Sequence, residues 1–146
     1  MCFMLYAGTT RPIPRKSWDQ KAPDISVESL KDGEEGIKAH FSLPEVQNIG
    51  STSCCGCDFP FAILQNGGWP ETECRETDEN VDASDRFNLE ALGALLQKLD
   101  EGIIELYGIW SGDFDAKPEI REQISFEELH DSKFCFKERG FYTVWF

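Results

Sequence analysis

Phe87, Leu89, Leu92, Leu95, Leu96 and Leu99 recur at helical spacing, and the run stops at Gly102. Apolar residues three and four apart make one stripe along a helix, and that stripe has to be buried against another element. Ser84 or Asp85, just before the stripe, is the expected N-cap. The residues that follow at once, IIELYGIW at 103–110, are β-branched and aromatic and suit a strand. A helix that feeds straight into such a strand points to a helix lying on a sheet, and thus to an α+β domain.

The remainder of the chain supplies further strands rather than further long helices. CFMLYA at 2–7 reads as an apolar strand closed by Gly8-Thr9-Thr10, and Pro12 and Pro14 make 11–21 an extended arm. SVESLK at 26–31 reads as one or two helical turns, broken by DGEEG at 32–36. After a turn at 41–44, EVQNIGST at 45–52 reads as a second strand. Asn66-Gly67-Gly68 signals a turn, and 71–85, with seven acidic residues and one arginine, reads as a solvated loop. Residues 111–117 form a loop. SFEEL at 125–129 has Ser125 and Glu128 at capping-box spacing. The C-terminal segments KFCFKE and FYTVWF flank Arg139-Gly140 as a hairpin. The expectation is one α+β domain over 1–146: a mostly antiparallel sheet of about five strands, covered on one face, with one long helix and a C-terminal hairpin.

A chain of 146 residues can bury about two-thirds of its unfolded surface, so it can fold without a disulfide or metal. Twenty-seven acidic against fourteen basic residues give a net charge of −13, which repels nucleic-acid phosphates and anionic membrane surfaces. It favours cationic ligands or a basic protein partner. No apolar run approaches the roughly 20 residues of a membrane span. MCFMLYAGTTR has no basic n-region of a secretory signal, so a cytoplasmic setting with reduced cysteines is expected.

Three of the six cysteines, Cys54, Cys55 and Cys57, fall within STSCCGCDFPF at 51–61. Two thiolates three residues apart in a tight turn can face one metal ion, and Gly56 eases such a turn. A closed zinc site needs four ligands, and no second C-x-x-C is present. The expected set is Cys2, Cys54, Cys55 and Cys57, gathered across the fold around zinc or another soft metal. A redox turn of the thioredoxin kind fits less well, because Asp58 opposes a thiolate and Pro60 interrupts the following residues. A thiol sensor and simple burial of the thiols both stay open. His40 and His130 are isolated in sequence and read as structural. Asp113 and Asp115 alternate as in calcium loops, but they lack the glycine and the bidentate glutamate of such a loop and read as surface acids.

Cys2 in the first strand, YAGT, FSLP, IGSTSCCGCDF and YGIWSGD together resemble a family of small uncharacterised bacterial cytosolic proteins. The resemblance implies a stand-alone domain with a cysteine-containing turn. There the turn is closer to CGC, matching Cys55 and Cys57 and leaving Cys54 as an extra. It implies no activity and no catalytic residue. Three functions follow as expectations: a structural or regulatory zinc or thiol site; an acidic interaction module of the immunity or inhibitor type that binds a basic protein; and an N-terminal-nucleophile amidohydrolase using Cys2.

Overall fold

A computed structural model describes residues 2–62, 79–131 and 134–146, with 79–82 described in backbone only. The expected turn at 66–68, Trp69, Cys74 and most of the acidic 71–85 segment lie outside the described residues.

The elements are β1 (Phe3–Thr9), β2 (Ser26–Ser29), β3 (Glu45–Gly50), β4 (Phe61–Ala62), α1 (Glu79–Gln97), β5 (Ile103–Trp110), β6 (Ile120–Ser125), α2 (Phe126–Leu129), β7 (Phe136–Lys137) and β8 (Gly140–Trp145). Six strands form one sheet in the order β2-β3-β1-β5-β8-β6, and β4 and β7 form a small second sheet. Every ladder of the large sheet is antiparallel except β6 with β8. The domain is therefore α+β, as the helix-then-strand pattern implies.

The two central strands alternate their side chains between two cores, as a pleated strand must. Phe3, Leu5 and Ala7 of β1, with Ile104 and Leu106 of β5, face the helix side, where Leu89, Leu92 and Leu96 of α1 cover them. Tyr6, Tyr107 and Ile109 face the other way and pack with Ile37, Val46 and Phe141. The sheet is thus covered on both faces, not one. The second cover comes from the 3-10 turn Glu35–His40 and from Phe114, and it is required because three large aromatic side chains stand on that face. The Tyr6 hydroxyl donates to Glu34 at 3.0 Å, and the Tyr107 hydroxyl donates to the Ala116 carbonyl at 2.9 Å, so both buried phenols are satisfied.

Three local expectations change. Residues 26–29 are a strand, not a helical turn. Val27 is buried and pairs with Ile49, while its other backbone edge pairs with Lys16. Tertiary pairing here overrides a weak local preference. Helix α1 begins at Glu79, ahead of Ser84 and Asp85, because periodicity marks only where a helix is buried and a polar first turn leaves no stripe. Finally, the chain turns back at Arg139, at φ 60°, but the two arms enter different ladders. β8 pairs with β5 and β6, and β7 pairs in parallel with β4. The capping box at Ser125 and Glu128 is present in full.

Candidate metal centre

The cysteine turn is built where β3 ends. Gly50 is the last residue of β3, and the Ser51 N–H donates to the Cys55 carbonyl at 2.7 Å while the Cys54 N–H returns to the Ser51 carbonyl at 3.0 Å. Cys54 adopts φ 78°, a left-handed conformation that costs a non-glycine residue about 1–2 kcal/mol. The buried Ser51 hydroxyl also bonds the Cys55 carbonyl and accepts from the Asp58 N–H at 3.3 Å. A 3-10 turn, Gly56–Asp58, follows and closes with Phe59 N–H on the Gly56 carbonyl.

Two neighbours hold this turn in place. The side chain of Asn88, buried on α1, accepts from the Thr52 N–H at 2.9 Å and donates to Thr52 Oγ1 at 3.0 Å and the Ser84 carbonyl at 2.9 Å. The Trp18 indole N–H donates to the Thr52 carbonyl at 3.0 Å. On the opposite side Gly56 lies against β1. A Cβ at that position would come within 2.8 Å of the Phe3 carbonyl oxygen. Phe3 in turn donates its backbone N–H to Cys57 Sγ at 3.4 Å.

This contact brings Cys2, the residue before β1, to the turn. The Cys2 carbonyl is fixed by the Ser111 N–H at 2.8 Å. The sulfurs of Cys2, Cys55 and Cys57 lie within 4.8 Å of one another, and all three residues are half-buried. Of the four cysteines expected at the site, the fold joins these three. Cys54 is exposed and stands outside the group. The pair used within the turn is therefore Cys55 with Cys57, two residues apart with Gly56 between them.

The three thiols are electrostatically unequal. Burial pushes Cys57 up to about 12, aided by its hydrogen bond to Cys55 and opposed by the Phe3 N–H. Cys2 is raised first by its hydrogen bond to Cys55 and then by the charge there. Burial acts to raise Cys55 as well. Hydrogen bonds from the Cys57 N–H and thiol, the Ser53 hydroxyl and the Cys2 thiol outweigh it and bring Cys55 below its ordinary value. Cys55 is thus the most acidic thiol of the three. A metal ion bound by these sulfurs would take the place of thiol protons.

The other sequence candidates lie elsewhere. His40 stacks on Tyr107 with ring centroids 5.4 Å apart and has Nε2 3.2 Å from the Phe114 carbonyl, on the far face of the sheet. His130 packs against Gly93 of α1 and against Phe126. Asp113 lies 3.8 Å from the Arg139 guanidinium, which makes it an ion-pair partner. Cys135 is disulfide-bonded, which corrects the expectation that all six thiols are reduced.

Asn88 and Ser51 were not identified from sequence. Asn88 carried a signal: it sits four residues before Leu92 and eight before Leu96, on the buried stripe, where a polar side chain must find partners. Ser51 carried none. Comparison with known proteins finds no matching protein family, no matching curated protein and no matching solved structure.

Proposed function

We propose that Cys2, Cys55 and Cys57 bind one soft metal ion, zinc foremost, and that the ion regulates the protein rather than holding its fold together. The observation that carries this is the convergence of three sulfurs from two separate segments within 4.8 Å. Sulfurs bound to one zinc ion at ~2.3 Å stand under 5 Å apart, so they need only small rotations to share it. Thiolates select soft ions over magnesium or calcium. A net charge of −13 adds a field that concentrates cations near the surface. The regulatory role rests on position. The three residues are half-exposed; Cys57 packs against the helix-side core, but the buried members of both cores are other apolar and aromatic side chains.

Metal analysis of untagged protein, with cobalt substitution as the optical readout, tests the assignment. About one equivalent of metal and a thiolate-to-cobalt charge-transfer band are expected. Cys2→Ser, Cys55→Ser and Cys57→Ser should each abolish the band, and Cys54→Ser should keep it. Zinc, copper and iron all far below stoichiometry, with no cobalt band, would overturn the proposal. So would a band lost only in Cys54→Ser. Chelation that unfolds the chain would refute the regulatory role.

A further inference from the structure

The arrangement of the three sulfurs has a second chemical outcome. Cys55 Sγ lies 3.7 Å from Ser53 Oγ and within 4.8 Å of both other sulfurs. Cys2 and Cys57 are themselves within 4.8 Å of each other. All three are half-exposed, so a small oxidant can reach them. A disulfide needs its sulfurs about 2.05 Å apart. The sulfurs start within 4.8 Å of one another, so side-chain rotation has a short gap to close. Cys54, though more exposed, stands outside the group.

We infer that the same three sulfurs form a switch operated by hydroperoxides, in which oxidation joins Cys55 to Cys2 or to Cys57 and thereby removes two of the three metal ligands. Cys55, once it has lost its proton to solvent, attacks the terminal oxygen of the hydroperoxide. An S–O bond forms, the O–O bond breaks, and the alkoxide or hydroxide that leaves takes a proton from solvent, giving a Cys55 sulfenic acid. The flanking sulfur then attacks Cys55 Sγ. An S–S bond forms, the S–O bond breaks, and the oxygen departs as water. Two thiols supply two electrons, and the hydroperoxide takes both. A metal ion held by the cluster leaves with its charge unchanged. A single remaining thiolate cannot retain it, because ligand number sets affinity in such sites. Turn rigidity assists closure. Asn88 and Ser51 fix the backbone on either side of Cys55, so oxidation is directed to partners already in place rather than to a distant thiol.

The release of metal rests on the proposed metal site, whereas the disulfide does not, and one experiment on the full chain separates them. Metal-free protein is treated with hydrogen peroxide and mapped by mass spectrometry under non-reducing conditions. Loss of two hydrogens, with Cys55 linked to Cys2 or Cys57, is expected, and it should vanish in Cys55→Ser and persist in Cys54→Ser. In parallel, zinc-loaded protein is treated with peroxide beside a chromogenic chelator. Bound zinc should fall to background and return when the protein is reduced and reloaded. Over-oxidation of Cys55 to sulfinic acid without a disulfide, or a disulfide at Cys54, overturns the switch. A correct disulfide in protein that never binds zinc keeps the thiol switch and refutes the metal site. Zinc that binds and stays bound after peroxide refutes the switch alone.

Discussion

Replacing Gly56 by Ala tests how the cysteine turn is seated. The added methyl would stand 2.8 Å from the Phe3 carbonyl oxygen, 3.1 Å from Phe3 Cδ1 and 3.3 Å from the Leu5 nitrogen. Two of these atoms belong to the backbone of β1, where Phe3 pairs with Trp110 of β5 and Leu5 pairs with both β3 and β5, so the strand resists displacement. The turn must therefore retreat by a few tenths of an ångström. Overpacking of this kind costs about 1–3 kcal/mol. In a chain of this size each kcal/mol lowers the melting temperature by roughly 2–4 °C. The same displacement lengthens the Phe3 N–H bond to Cys57 Sγ and draws Cys55 and Cys57 away from Cys2. Disturbing groups that orient ligands typically weakens metal binding by about 10–100-fold. Gly102→Ala is the control, because nothing lies within 4 Å of a Cβ there. Thermal melts by circular dichroism and zinc titration against a competing chelator measure both effects. If Gly56→Ala melts and binds zinc like the parent protein, the turn does not press on β1 and the convergence with Cys2 is not enforced by packing.

Two further outcomes follow from the hydrogen bonds and buried phenols. Asn88→Ala removes three hydrogen bonds from a buried side chain, and at about 0.5–1.5 kcal/mol each it should cost roughly 1.5–4.5 kcal/mol in denaturant unfolding, with zinc affinity also reduced; an effect below the lower figure would show that Trp18 and Asp58 hold Thr52 without Asn88. Burial holds the Tyr6, Tyr107 and Tyr142 phenols above their ordinary value, Tyr107 at about 12. The folded state therefore keeps protons that the unfolded chain releases above about pH 10, and stability should fall as pH rises from there through the folded-state values. Melts across this range, with tyrosinate absorbance followed in parallel, check it; a flat profile would mean that the phenols are not protected.

How much of this could be read from residues alone depended on burial. The α1 stripe, the β5 run and the Ser125 cap were legible because each carries its own periodic or capping signal. β2 and β6 were not. SVES and IREQIS hold too few apolar residues to alternate, and each becomes a strand only because β3 or β8 offers it a partner. At the site, the density of cysteines marked the right turn, yet the neighbouring C-x-x-C pair Cys54 and Cys57 was the wrong geometric unit. A left-handed Cys54 turns that side chain out of the group and leaves Cys55 and Cys57 facing Cys2. Such backbone hand is decided by the Ser51 network and by the fit of Gly56 to β1, contacts between segments that no local spacing encodes.

β1 sits between β3 and β5 in the middle of the sheet, and its partner strand ends at Trp110. During synthesis at about 5–20 residues per second, the segment carrying Cys2 waits roughly 5–20 s before that partner has left the ribosome. Pairings that span so much of the chain also form slowly, because their loop entropy is lost before any contact rewards it. A nascent chain therefore displays the Cys2 thiol beside a β1 edge that still lacks β5.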